Sequence, residues 1–129
     1  MDKNITTLLA VETYIQEHTR EIRGEKALTD TDVAGLYQIS LEELHKTVGR
    51  NKKRFPADFM FLLNEEEKKK LSLTGKKVYA FTQMGIFMLG GQLKSDIARK
   101  TNMQLIELFV GMMPGKVFEI LSDVQNQDK

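Results

Sequence analysis

Residues 29–51 read TDTDVAGLYQISLEELHKTVGRN, two short helical patterns with a three-residue break between them. Val33, Ala34, Leu36 and Tyr37 mark the apolar side of a first helix, for which Thr29 to Thr31 offer N-caps. The pattern stops at Gln38-Ile39-Ser40 and restarts at once. Ser40 with Glu43 spells a capping box, in which each side chain reaches an otherwise orphaned backbone N–H at the helix start. Ile39 and Leu44 are spaced to act as a hydrophobic staple fixing the entry angle. A break specified this closely is a corner. With Leu36, Ile39, Leu44 and Val48 buried between them, two short helices joined by three residues make a helix-turn-helix arrangement.

The second helix is basic at its far end. Helical geometry turns Leu41, Leu44 and Val48 inward and leaves Glu42, His45, Lys46, Gly49, Arg50 and Lys53 outward. The formal net charge of the chain is only +1, but charge is divided into blocks. Residues 1–43 hold four bases and nine acids, whereas 44–56 hold Lys46, Arg50, Lys52, Lys53 and Arg54 with no acid. Residues 57–67 hold four acids and no base, and 68–77 hold five lysines and no acid. Lys46 and Arg50, at i,i+4, project together toward an anionic partner; arginine can grip phosphate or pair in a bidentate way with guanine. Gly49 would let a ligand's backbone come close, while Glu42 would repel phosphate unless it points aside or accepts from a cytosine amino group. The bland alternative is a solvated helix end whose cations complement the helix dipole. The specified corner ahead of it favours the ligand.

Around this unit the signals are shorter. Ile5 to about Thr19 carries apolar residues at 5, 8, 9, 11 and 15, predicting an amphipathic helix. EIRGEKALTD has a Gly-Glu turn between short apolar ends, predicting a small hairpin or an extended lead-in. Phe55-Pro56-Ala57-Asp58 is a turn, because proline biases the residue before it away from helix. FMFLL and KVYAF read as two strands that can pair as a wing. Between them NEEEKKKL reads as an exposed helix capped by Asn64, with Glu65–Lys69 and Glu66–Lys70 paired at i,i+4. Lys68 to Lys70 belong to that solvated face; Lys76 and Lys77 have no such partners and are candidates for phosphate contact. Thr82 caps a helix to about Leu93, and Ser95 caps another to about Val110, with Ile97, Met103, Leu105, Ile106, Phe109 and Val110 as its apolar residues. Val117, Ile120, Leu121 and Val124, at i, i+3, i+4 and i+7, form a stripe suited to a dimer or to the chain's own core.

Other functions find little support. With no cysteine, disulfides and thiolate metal sites are excluded, which fits a reducing cytoplasm. His18 and His45 each have a glutamate three positions away but no third ligand, and both read as surface side chains; no metal or cofactor is expected. The longest uncharged run, Val78–Leu93, is sixteen residues and reads as core rather than a membrane span. The N-terminus lacks the pattern of a secretory signal, so a soluble cytoplasmic protein is expected. TGKK fails the phosphate-loop pattern, and no Ser-His-Asp, Cys-His or paired-carboxylate arrangement emerges; an enzyme is not expected.

IRGEKALTDTDVAGLYQISLEELHKTVGRNKKRFPADFMFLLNEEE and YAFTQMGIFMLGGQLKSDIA resemble the phage ORF-six N-terminal domain family, related to the KilA-N and Bro-N modules of phage antirepressors and regulators. The resemblance covers about residues 21–110 and is most specific at RNKKRFPADFMF and YAFTQMG. It implies a DNA-binding protein of phage or prophage origin, and it carries the family's basic helix end and exit onto Lys46, Arg50, Asn51 and Arg54. It also implies that Phe55, Pro56, Asp58, Phe59, Phe81, Thr82 and Gly85 are scaffold. Three departures stand out. Gln38 replaces the family's usual glycine in the inter-helix turn, a cost of about 1 kcal/mol if φ is positive there. The segment between Leu71 and Val78 is shortened, so any wing is trimmed, and residues 111–129 suffice for one helix rather than an effector domain.

The expected architecture is α+β and mostly helical, a helix-turn-helix variant with a small two-stranded antiparallel sheet. Residues 1–20 form an N-terminal helix, 21–110 the phage-type DNA-binding domain, and 111–129 a C-terminal helix that is a candidate dimer contact. The expected function is sequence-specific binding of double-stranded DNA in transcription regulation, through Lys46, Arg50, Asn51, Lys52, Lys53, Arg54, Lys76 and Lys77. The competing expectation is an antirepressor-like module that binds a repressor or other regulatory protein. A homodimer is compatible with either.

Overall fold

The computed structural model describes residues 8–112. The helix expected from Ile5 is described from Leu8, and the stripe from Val117 to Val124 lies outside the described residues. The described elements are, in order, α1 (Leu8–His18), β1 (Arg20–Ile22), β2 (Glu25–Thr29), α2 (Asp30–Tyr37), α3 (Leu41–Arg50), a 3₁₀ turn (Lys52–Arg54), β3 (Met60–Leu62), α4 (Glu65–Lys70), β4 (Tyr79–Phe81), α5 (Gln83–Gly90) and α6 (Asp96–Met112).

The sheet has four strands in the order β1-β2-β4-β3, all antiparallel, which corrects the expected pair. The expected β3–β4 pairing is present, with Phe61 opposite Ala80. The extra strands come from the hairpin at residues 20–29, whose turn residues Arg23 and Gly24 take φ values of 56° and 78°. Two positive φ angles match the right-handed twist of the flanking strands. β2 outlasts its partner and pairs with β4 through Leu28–Phe81 and Thr29–Ala80. β4 is therefore an inner strand, and β3–β4 is part of the sheet rather than a free wing.

Alternation along the strands separates two apolar layers. On one face Leu28, Met60 and Phe81 meet Val33, Leu36 and Tyr37 of α2, Leu44 and Val48 of α3, Ile86 and Leu89 of α5, Leu105 of α6 and Val11 of α1. On the other, Ala27, Ala80, Leu63 and Val78 form a smaller cluster with Ile22, against which Phe61, Leu71 and Leu73 pack. α2 is buried on most sides and packs on β2, β4, α1, α3 and α6.

The corner between α2 and α3 forms as a left-handed helix stop. Gln38 adopts φ 56° and ψ 48°, with its N–H 3.2 Å from Gly35 O and the Ile39 N–H 3.0 Å from Ala34 O, a Schellman ending. Ser40 then caps α3, its Oγ accepting the Glu43 N–H at 3.0 Å. Only that half of the expected box forms: the Glu43 carboxylate instead accepts from Thr47 Oγ1 at 3.4 Å. The reciprocal box is found at α4, between Asn64 and Glu67.

The scaffold residues implied by the family resemblance meet at one place. Thr82 donates its N–H to Phe59 O at 3.0 Å and its hydroxyl to Asp58 O at 2.7 Å. A Cβ on Gly85 would collide with the Phe59 carbonyl, so α5 can sit on that backbone only with glycine there. The Phe55 and Phe81 rings meet edge to face at 6.2 Å. Phe81 is fully buried and Phe59 only half-buried, so of the two Phe81 is the core residue. Buried Tyr37 donates to Ile86 O at 2.7 Å and lies 2.9 Å from the Asn102 side chain; burial pushes its phenol well above the usual range.

The exposed reading of α4 holds for Glu65, Glu66, Lys69 and Lys70 and is corrected at Lys68. Lys68 is buried, ion-paired with Glu65 at 2.9 Å, and its ammonium donates to Gly75 O at 3.0 Å and Lys76 O at 3.3 Å. The expected Glu65–Lys69 and Glu66–Lys70 pairs are not formed among the described residues. On the same side Arg23 reaches Glu67 at 2.7 Å, donates to Leu62 O and lies over the Phe61 ring. The Arg23 hydrogen bond, followed by one from the Asn64 backbone, pulls the Glu67 carboxyl down from 4.5 to about 2.

Phe81→Ala should cost about 3–5 kcal/mol in chemical denaturation, from lost transfer energy plus the cavity left behind. Gln38→Gly should stabilise the chain by about 1 kcal/mol, since it relieves a left-handed non-glycine residue. A carboxylate with a lowered native pKa contributes stability above its unfolded value and loses it as pH falls toward the native one. The stability gap between the native chain and Arg23→Ala should therefore be full above about pH 4.5 and narrow toward pH 2. Urea midpoints measured across that window check this, and a constant gap would contradict it.

Candidate nucleic-acid interface

The amphipathic pattern of α3 buries Leu44, Thr47 and Val48 and leaves Glu42, Lys46, Gly49 and Arg50 exposed. Leu41, expected inside, is 39 % exposed at the first turn. Thr47 is the buried polar residue, and its hydroxyl bonds back to Glu43 O at 2.9 Å.

Beneath the helix lies a residue that sequence reading missed. Asp30, 1 % exposed, opens α2 and accepts the Thr31 N–H at 2.8 Å on one carboxylate oxygen. The other oxygen faces the Tyr79 N–H at 3.2 Å and His45 Nε2 at 2.9 Å. His45 is thus a half-buried anchor of α3, and its ring meets Tyr79 edge to face at 5.7 Å. The expectation of a surface histidine is corrected: the ring is half-buried and its partner, Asp30, opens the preceding helix. The only available signal was an acid at the start of α2, which is equally ordinary as a helix-terminus charge.

Two cations of the outer face have acidic neighbours on their own helix. Lys46 Nζ is 4.0 Å from Glu42, and Arg50 is 3.8 Å from Glu43 and 3.5 Å from Thr47 Oγ1. The face is therefore not wholly free of the chain's own carboxylates. These contacts are long and exposed, with the Lys46 and Arg50 side chains 63 % and 62 % accessible, and pairs of this kind contribute at most about 1 kcal/mol. A phosphate can displace them.

Beyond Arg50 the chain turns without leaving the surface. Asn51 closes α3, its side-chain amide donating to Thr47 O at 2.8 Å, so this residue holds the helix end. Lys52, Lys53 and Arg54 follow in the 3₁₀ turn, all exposed and with no ion pair among the described residues. With Gly49, Arg50 and Asn51 they line a shallow depression. Phe55 then returns to the core beside Phe81 and fixes where this basic turn sits.

Lys76 and Lys77 are exposed in the segment leading into β4, held from below by Lys68. His45 of α3 meets Tyr79 at the start of β4, and Phe55, beyond the basic turn, meets Phe81 at its end. Lys76 and Lys77 thus approach from the Tyr79 side, and the Lys52–Arg54 turn stands at the other.

A second concavity, about 930 Å³, lies between α1, β2, α5 and α6, lined by Ile15, Leu28, Met84, Ile86, Leu105 and Leu108 among others. Glu12, Glu25, Asp58 and Lys26 also border it, so its net charge is negative, opposite to that of the α3 exit. Among the described residues no group of three His, Cys, Asp or Glu could hold a metal, and no helix is long and apolar enough to cross a membrane.

Comparison with curated proteins and with solved structures finds no match. The family model of the ORF6N domain matches residues 17–91, a span that takes in the hairpin, the α2–α3 corner, the basic turn and α5. The chain belongs to the ORF6N domain family, a family associated with phages.

Proposed function

We propose that the chain binds double-stranded DNA sequence-specifically, as a transcriptional regulator of phage or prophage origin, with α2–α3 acting as a helix-turn-helix variant. The observation that carries this reading is the run of exposed cations from the outer face of α3 into the turn behind it: Lys46, Arg50, Lys52, Lys53 and Arg54. Lys46 and Arg50 project from a helix anchored on its inner side, the arrangement that major-groove contact needs. Arg50 reads base edges, Lys46 supports it, and the 3₁₀ turn grips phosphates; Lys76 and Lys77 add contacts from the Tyr79 side. Asn51 acts by holding the helix end. Glu42, 81 % accessible, faces solvent beside Lys46 and restricts which groove edge the N-terminal turn can meet. The role is binding rather than catalysis, in the cytoplasm.

A second reading has its own observation. The cleft between α1, α5 and α6 is apolar with acidic residues at its border, and an antirepressor-like module would seat a regulatory protein there. Salt separates the two. About five phosphate contacts make log K fall with log salt at a slope of roughly −4 to −5, whereas an apolar protein contact changes little.

Duplex recovered from a genome-fragment selection supplies the probe. Arg50→Ala should weaken its binding about tenfold while moving the melting temperature by less than about 1 °C, because the side chain is exposed and only loosely paired. Absence of any salt-dependent duplex binding would overturn the DNA reading.

A further inference from the structure

Gly49 is the penultimate residue of α3, in its last turn, where glycine still costs helix part of the about 0.5–1 kcal/mol it costs in mid-helix relative to alanine. Nothing in the fold requires it. It does not take a positive φ, and a Cβ built on it would meet nothing within 4 Å. Gly85 and Gly90 differ, because a Cβ at either would strike a neighbour. At about 100° per helical residue, Gly49 falls between His45 and Lys46, near the middle of the outer face formed with Glu42 and Arg50. The absent side chain therefore leaves a bare stretch of helix backbone, bordered by His45 on one side and by Lys46, with Arg50 beyond it, on the other.

We propose that Gly49 is the point of closest approach between α3 and duplex DNA, where the sugar–phosphate strand comes into van der Waals contact with the helix backbone. This rests on the DNA-binding reading and deepens it. Lys46 and Arg50 extend beyond the contact on one side, and Lys52, Lys53 and Arg54 continue it along the strand. A side chain at position 49 would hold the strand away and lengthen every one of those ionic contacts.

The test compares Gly49→Ala, Gly49→Leu and Lys46→Ala in the full chain, with the labelled duplex recovered by the genome-fragment selection. Three quantities are read: melting temperature, duplex affinity and the slope of log K against log salt. Both Gly49 variants should melt about 2–4 °C higher, since helix formation improves. Gly49→Ala should bind about tenfold more weakly and Gly49→Leu about a hundredfold, with the salt slope unchanged because no charge is removed. Lys46→Ala should lower the slope by about 1. If both Gly49 variants melt higher yet bind as tightly as the native chain while Lys46→Ala weakens binding, the close approach is refuted and the DNA reading stands. A lowered melting temperature in Gly49→Ala would give the glycine a structural reason and also refute it. If the native chain itself does not bind the duplex, the DNA reading fails and takes this inference with it.

Discussion

The Asp30 carboxylate is the constraint on which the placement of α3 depends. Burying such a group is costly unless its oxygens find donors, and here they find three on three different elements. β2 ends at Thr29 opposite Ala80, so the Tyr79 N–H has no β2 partner where the chain turns away into α2. Asp30 takes that N–H, accepts from the first turn of its own helix and receives the ring nitrogen of His45. One side chain thus ends a strand ladder, starts α2 and ties α3 to β4. Losing it would leave buried donors unsatisfied at the joint between the sheet and the exposed helix.

From that joint the outer surface of α3 follows. Leu44, Thr47 and Val48 are committed inward, and the Phe55–Phe81 contact returns the chain to the core after the 3₁₀ turn. The segment between these anchors can only be superficial. Its cations are held by position rather than by partners, since the nearest carboxylates, Glu42 and Glu43, stand about 4 Å away and exposed. Lys68 plays a comparable part on the Tyr79 side, where a buried ammonium gathers the carbonyls of Gly75 and Lys76. Both basic segments are therefore presented by interactions beneath them.

What the sequence revealed and what it hid divide along the range of the interaction. The α2–α3 corner was legible because its determinants are local: the Ser40 cap, Ile39 and Leu44 beside it, and the apolar spacing on either side. The exposed Lys52–Arg54 run was legible from composition. The four-stranded sheet was legible only in parts: the hairpin and the β3–β4 pair show locally, but their joining does not, because β2 meets β4 across several intervening elements. The Asp30–His45 tie was hidden for the same reason. In EEEKKKL the charge pattern points to a solvated face, and only the returning Gly75–Lys76 segment buries Lys68. Gln38 lies between these cases: its local position raised the question of a left-handed turn, and the φ of 56° answers it.

In the proposed function, the outer face of α3 and the basic turn behind it form the surface met by duplex DNA. Backbone amide chemical-shift mapping of the full chain, titrated with a selected duplex, addresses it most directly. Shift changes should concentrate between Glu42 and Arg54, with smaller ones at Lys76 and Lys77 and little change along α1 and α6. Changes confined to Ile15, Met84, Phe87 and Leu105 around the acidic cleft would contradict it.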